Sequence, residues 1–282
     1  MVGGQAQLGC LTWLARVVTL MWMRQPYPDE GDLVNHNGQS IVNELVLWDN
    51  RRWRLKLGAG WRDALAYSLG RQYANVAKSV LAREAKGATS ANGSPFSVTI
   101  TPPASLVCLI QDHTPEDFAS SDPDEAIARE LVFSLWVRRR DAHPWNRAYV
   151  NGVPGFFDHH IAFGAETDNT TMDGFFRDGG DAGYTSRWRI RQLPSDTMPT
   201  TGSERSLQPR ELAIHRVHDV QTFDSKLDTA VTELLAIDPG AIENLAGDAG
   251  APSPEEVSSL LHRTREELSD SVERLRRFAY DT

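Results

Sequence analysis

Apolar residues recur along this chain at two periods, and the two periods mark out its elements. Trp53-Arg-Leu-Lys-Leu57 alternates, with Trp53, Leu55 and Leu57 on one face and Arg54 and Lys56 on the other, which predicts a strand. Before it, Leu33 to Trp48 reads as strand, small loop, strand, with Asp49-Asn-Arg-Arg52 as the turn. Leu65, Leu69, Tyr73, Val76 and Val80 fall at helical spacing and predict a helix over 61–84. Phe96 to Ile100 and Leu106 to Ile110 read as two strands around a Pro-Pro turn. The helical period returns over Ala126 to Val137. Ala148 to Phe157 then reads as strand, Asn-Gly turn, strand, because both turn residues tolerate positive φ. Helices are predicted over 208–218, 222–237 and 253–279. The last opens on Ser253-Pro-Glu-Glu256, an N-cap residue with Pro at the first helical position and acids in the first turn. No internal repeat is visible.

The intervening segments carry little apolar pattern. Pro26 to Asp32 is a linker of Pro, Gly and acids, and Gly87 to Pro95 is a Gly/Ser/Asn loop. Residues 114–125 are acidic and contain Pro. Gly164 to Tyr184 is rich in Gly, Asp and Thr, buries little surface and is expected to be mobile. Leu193 to Ser206 is turn-rich. Leu8 to Met23 is apolar but interrupted by Arg16, too short for a span of about 20 residues, and without the basic start and cleavage site of a signal peptide. A packed amphipathic helix is the expectation; Met21 or Met23 as natural start is the other reading.

Composition narrows the class. The 282 residues suffice for a large core and two lobes, and 40% hydrophobic with 24% charged residues is ordinary for a soluble globular chain. A net charge of -9 argues against a general nucleic-acid binder, whose footprint is basic. Two cysteines, Cys10 and Cys108, each in an apolar run, suggest neither a disulfide framework nor a zinc site, and fit a reducing, cytoplasmic compartment.

The chemistry concentrates in Arg138-Arg-Arg-Asp-Ala-His-Pro-Trp-Asn146 and the hairpin that leads to Asp158. Phosphoryl transfer needs a carboxylate beside the acceptor hydroxyl and oxygen ligands for magnesium. Asp141 supplies the first, and Asn146 with Asp158 the second. Asp-x4-Asn alone has almost no weight; the helix before it and the hairpin after it give it context. The alternative is a turn-rich surface loop with Asp158 as a solvated or capping carboxylate.

This stretch resembles the catalytic loop and metal motif of HipA-type and phosphatidylinositol-kinase-like atypical kinases. Asp141-Ala-His143-Pro-Trp-Asn146 stands for Asp-Arg-His-x-x-Asn, and Asp158-His-His-Ile-Ala-Phe163 for the Asp-His-Gly segment. Ala142 replaces the usual Arg and His160 the usual Gly. The close match covers 138–163. The resemblance implies an α+β, two-lobed protein-kinase-like fold: an extension or helix over 1–25, a sheet-rich N-lobe over 26–112 and a helical C-lobe over 113–282.

It also implies ATP and Mg2+ as cofactors and a hydroxyl acceptor on a protein or lipid. Asp141 is then the catalytic carboxylate, and His143 steadies the loop or the phosphate, unless it is structural. Lys56 holds the phosphates and pairs with Asp63, unless it lies on a solvated strand face. Gly38 and Ser40 offer backbone and hydroxyl groups to phosphate, unless they form an ordinary hairpin turn. Gln111 to His113 is the hinge against the base edge, 164–184 the activation segment. Adjacent His159 and His160 point to opposite faces of an extended chain and do not chelate one ion; His160 is taken as a packing or loop residue. Arg138 to Arg140 reads as a basic, partly solvated stretch that favours a phosphorylated group nearby.

Two other readings stand. An aminoglycoside-type phosphotransferase uses the same Asp-x4-Asn then Asp, but usually with His where this chain has Arg139. A pseudokinase keeps the fold and acts by binding; Ala142, His160 and the weak Gly loop are its support.

Overall fold

The structure, a computed structural model, describes residues 21–23, 45–48, 51–56, 60–82, 85–89, 95–98, 104–139, 142, 144–159, 161–164, 188–192, 200–203 and 214–280. Helices and small sheets are mixed along it. Strands β1 (Met21–Met23), β2 (Leu45–Trp48) and β3 (Arg51–Lys56) run antiparallel in succession. Helix α1 (Gly60–Gly70) follows, then β4 (Ser79–Ala82), β5 (Ala85–Thr89), β6 (Pro95–Val98) and β7 (Ala104–Cys108). These seven strands form one sheet in the order β4-β7-β3-β2-β1-β5-β6, antiparallel except for β1 with β5. Lys56 stands at the register position opposite Ser105. Helix α1 packs on β4 and β7.

Three expectations fail in this half, the first being that Gly87 to Pro95 is all loop, since Gly87 to Thr89 lie in β5 and Pro95 opens β6. Residues 21–23 are a strand paired with β2, not the end of a helix from Leu8; the rest of that segment lies outside the described residues. The helix predicted over 61–84 stops at Gly70. There the N–H groups of Tyr73 and Ala74 both bond the Gly70 carbonyl, at 2.8 and 2.7 Å, and the N–H of Val76 bonds the carbonyl of Ala74. A Cβ at position 70 would meet Val76 Cγ2 at 2.8 Å and Phe133 Cζ at 3.0 Å, so only glycine lets the chain double back this closely. Tyr73 and Val76 are core residues as expected, but the first comes from a turn and the second from an extended segment bridged to β9.

The second half is built on α2 (Pro123–Trp136). Asp122 caps it, accepting from the Glu125 N–H at 2.9 Å, with Pro123 at the first position and Asp124 and Glu125 in the first turn. Ile127, Leu131, Val132, Phe133, Leu135 and Trp136 are all buried, so the helix is enclosed on most of its circumference. It packs against β9 and the helices of the chain's end. After it come β8 (Arg147–Val150) and β9 (Val153–Phe156), a hairpin whose turn residues Asn151 and Gly152 have φ of 53° and 81°, as the Asn-Gly signal predicts.

Three short strands follow: β10 (Ile190–Gln192), β11 (Gly202–Ser203), which extends the hairpin sheet beside β8, and β12 (His215–Val217), parallel to β10. Helices α3 (Val220–Leu235), α4 (Ile242–Asp248), α5 (Pro254–Glu266) and α6 (Leu268–Tyr280) finish the chain. Residues 215–217 are therefore strand where a helix over 208–218 was predicted, because His215 and Val217 point inward at a period of two. The helix predicted over 253–279 is two, parted at Glu267, and α4 was not foreseen. Ser253 occupies the N-cap position without making a capping side-chain bond. Trp136 ties α5 to α2: its indole N–H donates to the Leu261 carbonyl at 3.0 Å, and Thr264 Oγ1 donates to the Trp136 carbonyl at 2.7 Å.

Among the described residues, no helix is long and apolar enough to cross a membrane.

Candidate functional site

The hairpin returns the chain to where it left. The Phe157 N–H bonds the Asn146 carbonyl at 3.0 Å, so the backbone of Asn146 lies against the residue before Asp158. Asn146 is buried at the end of a 3-10 turn over Pro144–Asn146, and Asp158 is half-buried with φ at 69°. Asp adopts the left-handed region more readily than most residues, and such outliers persist where surroundings over-determine them. Here three bonds do so. The Phe157 carbonyl accepts from Arg139 Nη2 at 2.6 Å, the Asp158 carbonyl accepts from Arg139 Nε at 3.3 Å, and the His159 N–H donates to Asp63 Oδ1 at 2.8 Å.

Arg139 reaches this segment because α2 ends in a Schellman motif. The Arg138 N–H bonds the Leu135 carbonyl at 3.3 Å and the Arg139 N–H bonds the Ser134 carbonyl at 2.8 Å. Arg138 itself takes the left-handed position usual for glycine, with φ at 53°, and its side chain pairs with Glu267 at 3.3 Å. The chain is thereby turned so that Arg139 enters the core. Its guanidinium is fully buried and pairs with Glu130 Oε1 at 3.1 Å, while Glu130 Oε2 takes Arg147 Nη2 at 3.0 Å. The expectation that 138–140 is a basic, partly solvated stretch is thus corrected for Arg139; Arg138 is half-buried, and Arg140 lies outside the described residues.

Ala142, where the resembling kinases carry Arg, is fully buried in the main core cluster, so an alanine suits this packing. His159 is buried as well, 6.1 Å edge-on to the Phe133 ring, with its Nδ1 at 3.9 Å from Asp63.

The expected hinge is a pair of tight turns. Residues Ile110–Asp112 form a 3-10 turn in which the Asp112 N–H bonds the Leu109 carbonyl and the His113 N–H bonds the Ile110 carbonyl. Two of the N–H groups expected to face a base are therefore engaged within the turn; Gln111 is exposed beside them. His113 is buried between two bonds: Nε2 accepts from the Lys78 N–H at 3.0 Å, so Nδ1 carries the proton towards the Leu109 carbonyl at 3.0 Å. It stacks on Phe118 at 5.6 Å, and burial holds its pKa below the usual imidazole value. Arg52 grips Asp112 with main-chain and side-chain bonds of 2.5 to 3.1 Å, and Arg51 pairs with Asp117 at 2.8 Å. Burial would raise the Asp112 carboxyl, but the bonds from Arg52 outweigh it and hold it low. Burial pushes the Cys108 thiol up to about 12, so this cysteine is a neutral core residue.

Asn75 fastens the site to the sheet. Its amide donates to the carbonyls of Ser120 and Pro154 and accepts from the Ser120 N–H, at 2.9 to 3.0 Å, while the Phe156 N–H bonds its carbonyl. Neither Asn75 nor Glu130 stood out in the sequence as functional. The available signal for Glu130 was a lone acid flanked by the apolar run of α2, since acids are almost never fully buried unless paired.

Of the expected site residues, the structure brings Asn146, Asp158 and Asp63 to one place through their backbone and carboxylate bonds. Gly38, Ser40, Asp141, His143 and His160 lie outside the described residues, as does the segment 165–187. Lys56 is described as the last residue of β3. Among the described residues no group of three or more His, Cys, Asp or Glu could hold a metal ion alone.

No family model matches the chain, and no curated protein matches it. Among solved structures it is similar to the crystal structure of a Helicobacter pylori proinflammatory kinase, CtkA, with 12% identity and a TM-score of 0.44, over 88% of this chain and 95% of that one.

Proposed function

We propose that the chain is a kinase-like phosphotransferase that moves the γ-phosphoryl group of ATP, with Mg2+, to a hydroxyl of a protein or lipid acceptor. The observation that supports it most is the hydrogen-bonded return of the β8–β9 hairpin, which sets the backbone of Asn146 against the segment of Asp158. In this reading 26–112 and 113–282 act as two lobes with the nucleotide between them. Asp141 orients the acceptor hydroxyl and takes its proton. His143 steadies the loop. Lys56, supported by Asp63, holds the phosphates, with Gly38 and Ser40 above them and the segment around Gln111 against the base.

Asn146 and Asp158 are the magnesium ligands. Their oxygens suit a hard cation, and magnesium in nucleotide sites takes one or two such side chains and fills its shell with phosphate oxygens and water. When bound, the ion neutralises charge on the phosphates.

The test is direct. Wild-type protein should bind Mg·ATP by calorimetry and transfer labelled phosphate to itself or to a candidate acceptor. Asp141→Asn should cut transfer by about 10²- to 10⁴-fold, the usual share of a general base, while nucleotide binding persists. Asp158→Asn should weaken binding of the metal-nucleotide complex. A wild-type protein that does not bind Mg·ATP would falsify the reading.

A further inference from the structure

One buried carboxylate holds both ends of the segment that carries Asp141 and Asn146. Arg139 stands two residues before Asp141, and Arg147 directly follows Asn146. Each ends on a different oxygen of Glu130, at 3.1 and 3.0 Å, with both arginine side chains fully buried and the Glu130 side chain 2% exposed. Arg139 goes on to the carbonyls of Phe157 and Asp158. Arg147 Nη2 also meets His215 Nδ1 at 2.7 Å, and a guanidinium has only donors, so that nitrogen accepts. One turn of α2 thus pins the start of the loop, its end and the backbone of Asp158.

We propose that Glu130 is a positioning residue that sets the placement of Asn146 relative to Asp158, an inference that rests on the function proposed above. The charge balance makes it so. Two guanidinium groups face one carboxylate, and the excess positive charge is taken up by the carbonyl oxygens of the metal-ligand segment and by the His215 ring. Without the carboxylate, two buried cations at the two ends of the loop repel each other and the loop base opens. Glu130 acts through the arginines and contacts neither nucleotide nor acceptor.

Glu130→Gln keeps the shape and removes the charge. Arg139→Lys keeps the charge and removes the fork, because an ammonium cannot serve a carboxylate and two carbonyls in one plane; this milder change keeps the test alive if Glu130→Gln does not fold. Leu275→Ala, in the core of α6, is the stability control. The full-length proteins are compared by hydrogen exchange and by transfer kinetics over a magnesium titration. Both clamp variants should exchange faster over 140–159 with α3 unchanged. Their kcat should fall, and their half-saturating magnesium rise, by about 10- to 100-fold, the range for residues that orient metal ligands. Leu275→Ala should lower Tm without moving the magnesium midpoint.

Exchange over 140–159 equal to wild type in both variants overturns the inference. So does a uniform rise across the chain with kcat following Tm as in the control. Local loosening in a protein whose wild type neither binds Mg·ATP nor transfers phosphate leaves the clamp standing and overturns the function it serves.

Discussion

Arginines pin two loops in this molecule, and they do so in opposite surroundings. At the hinge, Arg52 and Arg51 hold Asp112 and Asp117, with side chains 43% and 21% exposed. On either side of the segment that carries Asn146, Arg139 and Arg147 hold Glu130, and both arginine side chains are fully buried. The pairs around Asp112 and Asp117 are the shorter ones, 2.5 and 2.8 Å against 3.1 and 3.0 Å at Glu130, so distance does not favour the clamp. Solvent does. A part-exposed pair keeps some of its hydration and is screened by salt, whereas a buried charge without its partner cannot be rehydrated. The hinge can therefore loosen at small cost, and the clamp cannot.

The largest break in the comparison comes from truncating the clamp. Glu130→Ala should lower the unfolding free energy by about 3–5 kcal/mol, because it strands two buried guanidinium groups. Urea denaturation reads the loss. Replacing Glu130, Arg139 and Arg147 together by methionine should cost less than Glu130→Ala alone, since no charge is then left unpaired. A triple variant less stable than the single would show that the network stabilises the fold by itself.

Where the two regions touch, the contact is steric. A Cβ on Gly155 of β9 would meet Ile110 Cδ1 at 2.7 Å and Phe118 Cε1 at 3.0 Å. Gly155→Ala should cost about 1–3 kcal/mol as an overpacked site, with Ile110→Val restoring part of it. Additive losses in the double variant would mean that the hinge turn and the hairpin are not in contact through this pair.

Much of this could be read from the residues, and the failures have physical causes. The hairpin around Asn151 and Gly152 was legible because its turn needs positive φ, which few residue types supply. Helix α2 was legible from its apolar period, but its first turn, Pro123 to Glu125, fell in the acidic stretch read as loop. The end of α1 was hidden, because Tyr73, Val76 and Val80 keep a helical spacing although the chain has already turned at Gly70. The end of α2 was legible to within a residue of Trp136, but the turn after it was hidden, because Arg138 takes a position where glycine is expected. That one substitution made the clamp invisible: a run of three arginines reads as solvated until the backbone turns Arg139 inward onto Glu130.

Titration should separate the regions next. His113 sits in the hinge with its folded pKa depressed by burial. Above the ordinary imidazole value, about 6.5, both folded and unfolded chains carry it neutral, and its contribution is fully present. As pH falls below that value the unfolded chain takes up a proton first, so stability declines until pH has passed the folded pKa. The urea midpoint should therefore drop between about pH 6.5 and the onset of carboxylate titration near pH 4. His113→Asn should flatten that slope. An unchanged slope would assign the loss to another histidine.

The smallest effect belongs to the more exposed side of the comparison. Arg52→Ala should cost about 0.2–1 kcal/mol, and raising the salt should weaken the wild type until the two approach each other. The Asp112 carboxyl, held low by Arg52 against the pull of burial, should titrate closer to its ordinary value in the variant. The same salt series on Glu130→Gln should leave its deficit nearly constant, because ions do not reach a fully buried pair. If Arg52→Ala proves as costly and as salt-insensitive as Glu130→Gln, the hinge is as rigid as the loop base. Solvent exposure would then not be what distinguishes the two.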